Sequence, residues 1–150
     1  MADVLYRRPH PGDLERVLSS IRKADLEECE ALFGAGSLQA VTSRTLAGAV
    51  DSWVAEVDGE PVAIFGVSGD LLGAGHPWMF GTDAIDGNAR SLMRDCGGYI
   101  QQMLGAFPRL TNLVDVRNKK YIRWLKRIGF TILPPVAMGQ GTFHPFEMGS

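Results

Sequence analysis

Apolar residues recur along this chain at two periods. Between residues 89 and 107, Leu92, Cys96, Tyr99, Ile100, Met103, Leu104 and Phe107 lie at helical spacing, which predicts an amphipathic helix over 89–106, stopped by Pro108. A second stripe, Tyr121, Ile122, Trp124, Leu125 and Ile128, follows Asn118, a good N-cap, and ends at Gly129. Lys119, Lys120, Arg123, Lys126 and Arg127 take its other face. Near the amino terminus, Leu14, Val17, Leu18 and Ile21 predict a helix opening at Gly12-Asp13. Asp25 reads as a second cap, before Leu26, Cys29, Leu32 and Phe33, with Gly34-Ala35-Gly36 as the stop. Ser37 caps a third, weakly amphipathic helix through Leu46 and Val50.

Strand-like runs fall between these helices. Residues 4–7 form a short one, and 53–57 and 62–67 flank Asp58-Gly59-Glu60-Pro61, the signature of a hairpin turn. Residues 78–81, 113–116, 130–133 and 142–148 complete the set. The alternation of strands and helices in the second half implies a crossover, and hence some parallel pairing in an otherwise antiparallel sheet. The class is α/β (α+β). Gly97-Gly98, inside the long helix, costs about 1 kcal/mol of helicity per residue, which points to a close packing contact.

A length of 150 residues suits one domain, 1–150, and 45% hydrophobic with 21% charged residues supports an ordinary core. The net charge of -2 argues against a general nucleic-acid coat. Cys29 and Cys96 sit among apolar neighbours and read as small core residues. The start, Met1-Ala2-Asp3-Val4, shows no export signal, and no apolar run approaches the roughly 20 residues that span a bilayer. The expected place is the cytoplasm, and membrane insertion is not expected.

The Asn118 helix, closed by Gly129-Phe130 and running into a strand, resembles the last helix of the GNAT acyltransferase superfamily. Its closest likeness is to the small GNAT-like proteins of short-tailed phages and prophages, a group that includes internal virion proteins. The residues that carry it include Asp58-Gly59-Glu60-Pro61, the run Pro77-Trp78-Met79-Phe80-Gly81-Thr82-Asp83, Val114-Asp115-Val116-Arg117-Asn118 and Phe143-His144-Pro145-Phe146-Glu147-Met148. The resemblance implies a mostly antiparallel sheet with helices on both faces and one splayed strand. It also implies acetyl-CoA as cofactor and N-acetyltransferase activity on a small amine or a protein acceptor. The alternative it carries is a catalytically degenerate virion or host-interaction protein, in the bacterial host cytoplasm or packaged in the virion. A homodimer fits either.

Site residues follow from that resemblance. The splayed strand would offer Gly81 and Thr82 to the pantetheine arm, and Asn88, Arg90 and Ser91, at the start of the long helix, would meet the pyrophosphate. The stretch Asp86-Gly87-Asn88-Ala89-Arg90-Ser91 departs from the family's glycine-rich pattern, so Arg90 is either a phosphate partner or a solvated loop residue. Asn118 would contact the cofactor arm as well as cap its helix. Many family members carry a Tyr acid seven residues after that Asn, where this chain has Leu125; Tyr121 lies one turn earlier and is the substitute candidate. An acceptor amine with a pKa of about 10.4 requires a base. Asp83 at the strand end is the first candidate, with His144 second and Glu56 weaker. No cluster suggests a metal.

Overall fold

The computed structural model describes residues 3–149; Met1, Ala2 and Ser150, which include part of the amino-terminal stretch discussed above, lie outside them. In chain order the elements are β1 (Leu5–Arg7), α1 (Asp13–Leu18), α2 (Lys23–Phe33), α3 (Leu38–Ala47), β2 (Asp51–Val57), β3 (Glu60–Gly69) and β4 (Gly75–Gly81). There follow α4 (Ala84–Gly87), α5 (Ala89–Ala106), β5 (Arg109–Asp115), α6 (Lys119–Ile128), β6 (Thr131–Ile132), β7 (Val136–Met138) and β8 (Gly141–Gly149). The sheet runs β1-β2-β3-β4-β5-β8-β6, with β7 also on β8.

Alternation along the central strands fills two faces. Val54, Ile64 and Trp78 pack with Leu14 and Val17 of α1. Trp53, Val67, Leu110, Val114 and Phe146 pack with Ile100 and Met103 of α5 and with Ile122 and Leu125 of α6. Helices therefore cover both faces, as the resemblance implied. The β2–β3 hairpin turns through Asp58 (φ 52°) and Gly59 (φ 79°), as the Asp-Gly pair predicts. Gly66 lets strands and ring approach: a Cβ there would meet the Trp78 ring at 2.8 Å and would collide with the Asp51 carbonyl oxygen.

One parallel pair interrupts the antiparallel order. β4 and β5 share a single register position, Gly75 with Leu110, and part beyond it. Side chains bridge the strands beside that point: Asn112 Nδ2 donates to the Pro77 carbonyl (2.8 Å), and His76 Nδ1 lies 2.7 Å from the Thr111 carbonyl. Past these bridges the two strands form an open V.

Several expectations change. Asp25 is no cap; it lies inside α2, whose N-cap is Arg22. Ser37 takes the N-cap position of α3 but makes no capping hydrogen bond there. Gly97 and Gly98 face solvent, and a Cβ on either would meet nothing within 4 Å, so close packing does not explain them. The short α4 and β7 were not anticipated. Asn118 does cap α6, its Oδ1 accepting from Tyr121 N, and Gly129 ends the helix at φ 110°.

Candidate functional site

Two carboxylates from α2 close the mouth of the V. Asp25 and Glu28, at i and i+3, share a helix face with Cys29 and Leu32. Asp25 Oδ2 accepts from Gly81 N on β4 (2.9 Å), while Glu28 Oε1 accepts from Asp115 N on β5 (2.6 Å). Each strand of the V is thus tied to the same helix turn. The Gly81 carbonyl in turn accepts from Arg22 N (2.9 Å), and the Arg22 guanidinium pairs with Asp25 (2.8 Å). Burial pushes the Asp25 carboxyl up, while the Arg22 guanidinium and the Gly81 N–H work against that shift.

Glu28 is different. It lacks an ion pair among the described residues, and burial pushes its carboxyl from the ordinary 4.5 to about 7, with the Asp115 N–H holding it back. A carboxyl that titrates near neutrality inside a cleft suits proton transfer at physiological pH.

Ladder geometry defines what else faces the V. Even-numbered β4 residues bond to β3, as Thr82 N to the Val62 carbonyl continues to show. Odd ones turn the other way, and Pro77 and Gly81 find their partners there. Met79 falls in the same set, so its N–H and C=O point into the opening. Met79 and Tyr121 border all three cavities around the V. The first, of about 60 Å³, is an apolar interior gap beside Tyr99 and Leu125. The second, of about 390 Å³, lies between α5 and α6, with Arg22, Lys120, Arg123 and Arg127 around it. The third, of about 240 Å³, lies on the α2–α3 side and includes Asp25 and Glu28.

Tyr121 makes no side-chain hydrogen bond among the described residues, and burial, then the Glu28 charge, raises its phenol well above the usual range. It therefore keeps its proton at neutral pH. Among the described residues two buried donors have no hydrogen-bond partner: Trp78 Nε1, on a residue that borders the third cavity, and Asn118 Nδ2, at the N-cap of α6 on a residue that borders none of the three. Unsatisfied buried groups are uncommon enough to mark a place where a ligand can act as partner.

The expected site residues scatter around this geometry. Asp83 is exposed at the N-cap of α4 and borders none of the three cavities, whereas Glu28 borders the third. His144 bonds through Nδ1 to the Leu133 carbonyl (2.8 Å) and lies on β8 outside the cavities. Glu56 pairs with Arg7 (2.8 Å). Gly81 and Thr82 lie at the V, but their N–H groups already bond to Asp25 and to the Val62 carbonyl. Asn88 turns its amide to the Ala84 carbonyl (2.8 Å). Arg90 is exposed and Ser91 half-buried in the first turn of α5, beside the second cavity rather than in it. The positive charge of that cavity comes instead from the α6 face. His76, which sequence left without a partner, also meets Asp70 (3.0 Å) through Nε2.

Neither a family model nor a curated protein matches the sequence. Solved structures do match the fold. A GNAT-family acetyltransferase from Streptococcus pneumoniae aligns with TM-score 0.67 at 17% identity over 98% of this chain and 99% of that one. The chain has the GNAT fold. A Bacillus subtilis acetyltransferase in complex with CoA gives TM-score 0.68 at 7% identity, over 100% of this chain and 99% of its own. Spermidine N-acetyltransferase from Vibrio cholerae, solved with CoA and spermine, gives 0.66 at 13% identity, over 98% and 95%. No helix among the described residues is long and apolar enough to cross a membrane, and no group of three or more potential metal ligands occurs among them.

Glu28 was missed because the sequence pattern assigns the buried face of α2 to apolar residues. The signal was present in Asp25-x-x-Glu28-Cys29-x-x-Leu32, which puts both acids on the Cys29 face.

Proposed function

We propose that this chain is an acetyl-CoA-dependent N-acetyltransferase in which Glu28 is the general base and Tyr121 the general acid. The observation that carries it is the place of Glu28, at the mouth of the β4–β5 V on the wall of the third cavity, where its Oε1 accepts from Asp115 N and burial pushes its carboxyl up to about 7.

The residues present fit the cofactor. Arg22 pairs with Asp25 and Lys120 with Asp86, which also lines the α5–α6 cavity, so Arg123 and Arg127 supply the charge that phosphates require, and the first-turn N–H groups of α5 add the positive end of a helix. Acetyl-CoA would supply an acetyl group activated as a thioester. Glu28 accepts the proton of a bound ammonium at its carboxylate, which frees the lone pair of the amine. The Met79 N–H, directed into the V, supplies a backbone donor for an oxyanion. Tyr121 holds a proton at Oη, available to a leaving group, in place of the family acid position that Leu125 fills with apolar bulk.

The acceptor is an amine in this reading, as the spermidine enzyme among the structural neighbours illustrates. A phage or prophage source, with work in the host cytoplasm or carriage in a virion, rests on the resemblance of the Pro77–Asp83 and Val114–Asn118 runs. Exposed Leu71 and Leu72, on the turn between β3 and β4, favour a second reading as a GNAT-shaped interaction protein without catalysis. Thiol release from acetyl-CoA in the presence of an amine, lost in Glu28→Gln, supports the enzyme. A partner bound without any transfer supports the second reading.

A further inference from the structure

The α2–α3 cavity has an acidic floor, an apolar wall and an aromatic rim. Its two carboxylates are not equivalent. Asp25 is matched by the Arg22 guanidinium and by Gly81 N, whereas Glu28 receives only the neutral Asp115 N–H. The titratable group at the other end, His76, is engaged by Asp70 and the Thr111 carbonyl. Leu32, Val41, Trp78 and Phe80 form the wall between, the two aromatic rings stacked at 5.2 Å and 25°. Phe33, at the end of α2, also borders the cavity and is 61% exposed. A large aromatic left uncovered beside an acid-floored cavity is surface that a ligand can bury.

We infer that the acceptor is a small primary monoamine with an apolar body of aryl size, its ammonium at Glu28 and its body against Trp78, Phe80 and Phe33. This rests on the reading of Glu28 as base. The cavity matches one positive charge. A diamine or polyamine would place its second ammonium against Leu32, Val41 or an aromatic ring, where desolvation is uncompensated by any free carboxylate. An apolar body gains from the same wall. A cavity of about 240 Å³ also favours a free small amine over a folded protein chain.

The test is calorimetric titration of the whole protein, without cofactor, with 2-phenylethylamine and with 1,4-diaminobutane. Coenzyme A is titrated separately, so failure of the cofactor reading is seen independently of the acceptor. The expected result is 2-phenylethylamine bound at least about tenfold more tightly than the diamine. Phe33→Ala, at an exposed position that the fold tolerates, is expected to weaken the aryl amine about tenfold and to leave methylamine unchanged. Glu28→Gln is expected to weaken both amines. Equal or tighter binding of the diamine overturns the inference. So does the absence of any 2-phenylethylamine binding at millimolar concentration, or a Phe33→Ala variant that binds it as the parent does.

Discussion

Replacing Glu28 by glutamine is expected to stabilise the protein and disable it in the same step. The amide keeps the shape of the side chain and an oxygen that can still accept from Asp115 N, now at 2.6 Å from Glu28 Oε1. What it removes is the ionisation of a group that burial disfavours. Below about pH 4.5 the carboxyl is protonated in both folded and unfolded chains, and it is neutral in the balance. Between 4.5 and about 7 the unfolded chain releases the proton first, so folded stability falls as pH rises through that window. The distance between those values sets a ceiling of about 3 kcal/mol, and partial contact with solvent lowers it to about 2 kcal/mol. Urea unfolding at about pH 5 and about pH 8 reads the effect: wild type loses stability between the two, and Glu28→Gln loses less. Acetyl transfer by the variant is expected to fall about 100- to 10,000-fold, the usual worth of a positioned base. A variant that is less stable at the higher pH, or that transfers acetyl within about threefold of wild type, would falsify the account of Glu28.

Other positions give sharper separations. Tyr121→Phe removes a hydroxyl with no hydrogen bond among the described residues, so it is expected to lower kcat by about 100-fold with little change in melting temperature, read by stopped assays and thermal unfolding. The double change Arg123→Glu and Arg127→Glu, on exposed positions of α6, is expected to weaken coenzyme A binding by more than about tenfold in low salt; an unchanged Kd would remove the phosphate role of that face. Leu125 is 2% exposed in the core, so Leu125→Ala is expected to cost about 2–5 kcal/mol by denaturant titration.

How much of this was legible in the sequence follows from which forces shaped each part. The two long helices could be read because their apolar stripes coincide with what the fold buries: Leu92, Ile100 and Met103 on α5, Ile122 and Leu125 on α6. The Asp58-Gly59 turn was legible because positive φ at both positions narrows the residue choice. β7 escaped since its three residues are all exposed and carry no alternation. α2 misled for the opposite reason. Its buried face holds Asp25 beside Cys29, with Glu28 one turn on from Asp25, and burial of acids is set by partners on β4 and β5 that are distant in sequence. His76 is similar, since its contact with Asp70 depends on the fold of the β3–β4 turn. Asp83 attracted attention as the acid at the end of β4, but the chain turns into α4 there and leaves it in solvent. The basic face of α6 was plain in the sequence, while its position beside the start of α5 required the packing of the two helices.

The pH dependence of thiol release from acetyl-CoA with a saturating amine tests the central claim most directly. Wild type is predicted to show a rising limb centred near pH 7, set by Glu28, that disappears in Glu28→Gln. Thiol release at the rate of buffer alone, or the same limb in both proteins, contradicts it.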